Sequence, residues 1–92
     1  MTSDKLITEL SMRICAQLYA QLRDKAGTPR LEVDLAEGST VAQLLEKIYT
    51  LKPALRAHDK TILIGAGIEF VDRNYKLKPD EEIAIMPPVQ GG

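Results

Sequence analysis

The residues best placed to do chemistry stand at the end of the chain, in Met86-Pro87-Pro88-Val89-Gln90-Gly91-Gly92. Two prolines in a row hold φ near about −65° and remove two amide donors, so a strand reaching Met86 cannot go on pairing. The chain must leave in an extended, polyproline-like direction with little entropy left to lose. Six residues so extended reach roughly 20 Å. Gly91 and Gly92 lack a Cβ, so they can enter a channel too narrow for other residues and take the backbone angles it imposes. The useful group at the tip of such a probe is its own α-carboxylate, on Gly92. A frayed end would also suit a bare Gly-Gly, but a diproline directly after a strand favours a tail that is presented.

Other chemical candidates are weaker. His58, the single histidine, sits beside Arg56, Asp59 and Lys60 with no second ligand or nucleophile nearby. It reads as a solvated surface residue rather than a general base. Cys15 alternates onto the outer face of its strand with no cation evident beside it, and reads as a small half-buried filler rather than an activated thiolate. Asp80-Glu81-Glu82 is an acidic cluster at a strand entrance, close enough to the tail to meet a basic partner, although most such clusters are only solvated surface. Gly65 and Gly67 form a GxG with no helix after it, so the anion site of a phosphate loop is missing. No metal-ligand spacing is present.

The elements that must position the tail follow from periodicity. Met12, Ile14, Ala16 and Leu18 alternate with Arg13, Cys15 and Gln17, which predicts a strand closed by Tyr19 on the outer face. Residues 20–26 predict a short helical turn, broken by Gly27-Thr28-Pro29. Leu31, Val33 and Leu35 alternate in a second strand, close enough to the first for a hairpin. Thr40 and Gln43 have capping-box spacing, and Val41, Leu44, Leu45 and Ile48 form one apolar stripe, which predicts a helix stopped by Pro53. Residues 54–60 read as an irregular or helical turn. Residues 61–64 read as a short strand buried on both faces, interrupted by Gly65-Ala66-Gly67 and resumed over 68–71. Asp72-Arg73-Asn74 is turn chemistry, Leu77 packs inward, Pro79-Asp80 turns again, and Glu82–Met86 is the last strand. This order predicts an α+β domain, a ubiquitin-like β-grasp with one mixed sheet and a helix across one face. Residues 1–11 read as an N-terminal extension, 12–86 as the β-grasp domain and 87–92 as the extended diglycine tail.

Composition narrows the class. Ninety-two residues make one domain, 45% hydrophobic and 27% charged, with a net charge of −1. Lys and Arg are scattered, which argues against nucleic acid as a partner. No run approaches the roughly 18 apolar residues of a membrane span, and the apolar stretch at Leu6-Ile7 is too short for a signal-peptide core. A lone cysteine cannot form an internal disulfide, so the cytoplasm is the expected location.

The ending Pro87-Pro88-Val89-Gln90-Gly91-Gly92 resembles the Pro-Pro-Val-x-Gly-Gly terminus of the molybdopterin synthase small subunit, of the MoaD/ThiS-type ubiquitin-like sulfur-carrier family. The likeness extends back over residues 12–92. Ala20-Gln21-Leu22-Arg23-Asp24 with Gly27 is similar to the segment after that family's first strand. Glu37-Gly38-Ser39-Thr40-Val41 resembles the entry to its helix, and Glu81-Glu82-Ile83-Ala84 its last strand. Three features depart. Gly67 stands where the family usually has asparagine, Gln90 where serine or threonine is common, and residues 1–11 precede the usual start.

The resemblance implies a carrier that is no enzyme on its own. An E1-like adenylyltransferase would use ATP to adenylate Gly92, and a persulfide donor would turn the acyl-adenylate into a thiocarboxylate. The molybdopterin synthase large subunit, in a heterotetramer, would then receive the tail and supply the acid and base groups. Sulfur would pass to cyclic pyranopterin monophosphate in molybdenum cofactor biosynthesis. No permanently bound cofactor, metal or membrane contact is implied. Related carriers serving tRNA thiolation, thiamine synthesis or protein modification share the diglycine end and form the alternative. A binding module without tail chemistry is a more distant one. For docking, Met86 and Ala84 should face away from the helix with Tyr19. Phe70 joins them on an exposed apolar patch, unless it belongs to the core.

Overall fold

Residues 11–88 are described by a computed structural model of the chain. Strand β1 (Ser11–Leu18) forms where the alternation demands it: Met12, Ile14, Ala16 and Leu18 are all buried on one face. Helix α1 (Ala20–Ala26) follows, closed by Gly27 at φ 76°, whose amide donates to the Arg23 carbonyl at 2.9 Å. This left-handed stop is one that glycine takes without steric cost. Strand β2 (Arg30–Ala36) then returns antiparallel to β1, with Ile14 opposite Val33.

Helix α2 (Val41–Leu51) carries the apolar stripe, with Val41, Leu44, Leu45 and Ile48 buried. At its start the Thr40 amide donates to the Gln43 side-chain oxygen at 2.9 Å, one half of a capping box. Pro53 opens a 3-10 helix (Pro53–His58) instead of extending α2, and Leu55 from that turn completes the core. Strands β3 (Leu63–Ala66), β4 (Glu69–Val71) and β5 (Glu82–Met86) complete one sheet in the order β2-β1-β5-β3-β4. β1 and β5 run parallel at its centre and the other neighbours are antiparallel. With α2 packed across one face, this is the ubiquitin-like β-grasp the sequence predicts.

The third strand differs from expectation. It begins at Leu63 rather than residue 61 and runs through Gly65, which pairs with both Ala84 and Phe70. It is not an apolar run buried on both faces, since Leu63 and Ala66 are only half-buried. Gly67 alone breaks it. At φ 64°, with Ile68 not in the left-handed region, Gly67 gives the backbone pattern of a II′ hairpin turn. Ile68 therefore sits in the turn, not in β4.

One polar network was not foreseen. The Tyr49 hydroxyl of α2 donates to the Asp59 carboxylate at 2.6 Å, and Arg73 donates to the same oxygen at 2.8 Å and to the Asp59 carbonyl. It ties helix, 3-10 turn and post-β4 loop together. The Tyr49 and Arg73 bonds hold Asp59 below the usual carboxylate range, and burial pushes the Tyr49 hydroxyl up.

Candidate functional site: the outer sheet face and the root of the tail

The sheet face opposite α2 is built by the residues that alternate with the core. Gln17, Ala84, Gly65 and Phe70 are successive partners across β1, β5, β3 and β4, so they form one row. The next row pairs Met86 with Leu63. Tyr19 lies beside this row, because its amide donates to the Ile85 carbonyl at 3.2 Å. Ala20 follows at φ 52°, an uncommon angle for a residue with a Cβ, and turns the chain sharply into α1. The Tyr19 hydroxyl points back to the Gln17 side chain at 3.5 Å, and Gln17 donates on to Glu82 at 3.1 Å.

Two parts of this face differ. Toward β2 the polar groups answer each other: Arg13 pairs with Asp34 at 3.2 Å, and Arg30 donates to the Cys15 sulfur at 2.9 Å. That contact corrects the expectation for Cys15, which is buried beneath a guanidinium from the neighbouring strand. The two are distant in sequence and meet only through the β1–β2 register. Toward β4 the groups are apolar and open to water. Phe70 is 71% exposed, Ile68 fully exposed and Tyr19 45% exposed. Phe70 is therefore not a core residue.

The tail leaves from this apolar part. β5 ends at Met86, as the diproline requires, and Pro87 and Pro88 continue half-buried without strand pairing. Val89, Gln90, Gly91 and Gly92 lie outside the described residues. Tyr19, Phe70 and Met86, chosen from sequence, all line one shallow groove floored by Gly65 and Ala84. Sequence reasoning missed the part played by Gly65. The available signal was a glycine inside a strand, which marks a close approach of other groups. A Cβ at Gly65 would stand 3.3 Å from the Met86 methyl carbon, so the methionine side chain lies down over the glycine.

The remaining candidates do not gather into a catalytic centre. His58 is half-buried at the end of the 3-10 helix. The acidic cluster lies at the entrance of β5, the far end of the strand from the tail root. Glu81 is used internally, accepting from the Tyr75 hydroxyl at 2.6 Å and the Lys78 amide at 2.8 Å. Among the described residues no three His, Cys, Asp or Glu side chains converge as metal ligands. No helix there is long and apolar enough to cross a membrane.

Comparison with known proteins gives this geometry a family. A model of the ThiS family matches residues 16–92. The chain is 34% identical over 83 residues to a molybdopterin synthase sulfur carrier subunit of Chlamydomonas reinhardtii, covering 88% of this chain and all of that one. Among solved structures, the small archaeal modifier protein 1 of Methanosarcina acetivorans superposes with a TM-score of 0.73 at 28% identity, covering 89% of this chain and 98% of that one. A protein–protein complex of subunits 1 and 2 of the Helicobacter pylori molybdopterin-converting factor contains a chain of the same fold. That chain superposes with a TM-score of 0.62 at 21% identity, covering 88% of this chain and all of that one. The chain belongs to the ThiS family, with molybdopterin synthase sulfur carrier subunits among its relatives.

Proposed function

We propose that this chain is the sulfur carrier of molybdopterin synthase, and that Gly92 is the atom-bearing end. The observation that carries the reading is the exit of β5 at Met86 into a diproline and diglycine tail, beside exposed Tyr19 and Phe70. The Gly92 carboxylate attacks the α-phosphorus of ATP in the activating enzyme, releasing pyrophosphate and leaving an acyl-adenylate. A carboxylate is inert toward sulfur nucleophiles, whereas AMP leaves readily, and this is the reason for the step. A persulfide displaces AMP, and a thiol then cleaves the resulting acyl disulfide to leave the thiocarboxylate. ATP belongs to the activating enzyme, and the carrier binds no permanent cofactor.

The large subunit of the synthase is the partner of the apolar groove, and it supplies the acid and base groups. Seating Tyr19, Phe70 and Met86 against that subunit removes their apolar surface from water and sends Gly91 and Gly92 into its pocket. Thiocarboxylate sulfur passes there to cyclic pyranopterin monophosphate, and water restores the Gly92 carboxylate. The Helicobacter complex, one chain of which shares this fold, supports such an assembly.

A second reading, a ubiquitin-like modifier or a carrier for tRNA thiolation or thiamine synthesis, draws on the likeness to the Methanosarcina modifier. The Pro-Pro-Val before the diglycine favours the synthase. Deleting Gly92 should abolish molybdopterin formation in a reconstituted synthase while leaving the thermal melt unchanged. Retained activity overturns the carrier reading. Capture of a tRNA-thiolating enzyme or of covalent protein conjugates from the native cell, in place of a synthase large subunit, selects the second reading.

A further inference from the structure

Among the described residues, Gly27, Gly38, Gly67, Asp80 and Ala20 take a positive φ. Glycine does so freely, and aspartate tolerates it better than most residues. Ala20, at φ 52°, is the exception, because its Cβ crowds the backbone and it has no polar side chain to compensate. Strain of this kind persists only where the surroundings impose it, and it collects at functional sites.

Here the surroundings act from both sides. Before Ala20, the Tyr19 amide donates to the Ile85 carbonyl of β5 at 3.2 Å. After it, the Leu22 amide donates to the Tyr19 carbonyl at 3.1 Å, and buried Leu22 and Ala26 moor α1 to the core. Ala20 itself is exposed, so the core does not need its side chain. What the turn fixes is Tyr19, 45% exposed and lining the groove with Met86. A weaker hold acts on the ring. The Tyr19 hydroxyl donates to the Gln17 side-chain oxygen at a long 3.5 Å, and Gln17 is steadied by donating to Glu82 at 3.1 Å.

We propose that Ala20 is a positioning residue of the docking face: its stiff left-handed turn, aided by Gln17, holds Tyr19 in the free chain in the direction it has when the partner is bound. Glycine at this position would free the turn, because it populates many other angles as readily. Alanine has few alternatives once the peptides on either side are tied down. Association then removes less freedom at Tyr19, an aromatic anchor of the kind that dominates interface energies. The inference rests on the docking reading above and adds to it the residue that sets the anchor in advance.

Two measurements test it: the Tyr19 side-chain rotamer in the free chain, from NMR three-bond couplings, and calorimetric affinity for the synthase large subunit of the same organism. The native chain should show one Tyr19 rotamer. Ala20→Gly should average the rotamers and weaken binding several-fold, with a melting temperature unchanged or raised because strain is relieved. D-alanine at position 20, introduced by chemical synthesis, favours positive φ and keeps the turn stiff. It should raise the melting temperature and retain native affinity. Gln17→Leu should give a smaller loss of affinity than Ala20→Gly. In a Tyr19→Ala background neither change should weaken binding further. Rotamer averaging in the native chain, native affinity in Ala20→Gly, an equal loss with D-alanine, or losses that persist without the Tyr19 ring would each overturn the proposal. A chain with Tyr19 fixed that does not bind the large subunit overturns the docking reading instead, so the two failures are distinguished.

Discussion

The two faces of the sheet differ in where their apolar groups find partners. On the inner face Ile14, Ile83 and Ile85 meet Leu44, Leu45 and Ile48 of α2 in one buried core. On the outer face, only one strand-thickness away, Phe70, Ile68 and Tyr19 meet water. Neighbours on β5 show the contrast most closely: Ile83 is wholly buried, while Ala84 and Met86 point outward and are only half-buried. The inner face therefore holds the fold and the outer face is free to be used for recognition. A change on one should register in stability, and a change on the other in binding.

The largest effect should come from the inner face. Ile83→Ala should cost about 2–5 kcal/mol of stability through the cavity it leaves, while Phe70→Ala should stay within about 0.5 kcal/mol. Urea melts of both variants test this, and equal losses would break the division between the faces. Next come Tyr19→Asp and Met86→Arg, which place a charge where apolar contact is expected. Each should reduce affinity for the large subunit by about 2 kcal/mol or more with a native thermal melt. Loss of the folded state would assign these residues to the fold instead.

A smaller effect is expected at the tail root. Replacing Pro87 and Pro88 with alanine lets the exit direction wander, and ordering each freed residue costs about 1–2 kcal/mol of backbone entropy. That cost should appear in calorimetric affinity for the large subunit more than in melting temperature. The reverse pattern would show that the prolines serve the fold.

The smallest effect concerns the Asp59 network beside the core. Asp59 is held below its ordinary value, first by the Tyr49 hydroxyl and then by Arg73. The unfolded chain therefore binds its proton more readily. The stabilisation is present above the ordinary carboxylate value of about 4 and is lost as pH falls through the lower folded value. Asp59→Asn should be less stable than the native chain at neutral pH, and the gap should close in acid. Melts of both proteins from neutral to acidic pH test it. A gap that persists unchanged in acid contradicts the linkage.

Much of this was legible in the residue order, because alternation and a 3.6-residue stripe report burial directly. Met12 to Leu18 and Val41 to Ile48 are placed by those periods alone, and the β5 stop at Met86 follows from proline geometry. What was not legible depends on register. Arg30 reaches Cys15, and Tyr49 with Arg73 reaches Asp59, only after strands and turns have brought distant segments together. Gly65 misled for a related reason: as punctuation it reads as a break, yet its pairing with Phe70 and Ala84 holds it inside the strand. Phe70 was ambiguous because a three-residue edge strand has too few positions to show a period.

The central claim is that Gly92 carries sulfur, and intact-mass spectrometry of the full chain tests it most directly. The chain would be incubated with ATP, its activating enzyme, a persulfide donor and a thiol. The account predicts a mass gain equal to one oxygen replaced by one sulfur, located in the C-terminal peptide and absent when Gly92 is deleted. A chain that keeps its native mass in the active mixture, or gains sulfur at Cys15 and not at Gly92, would contradict it.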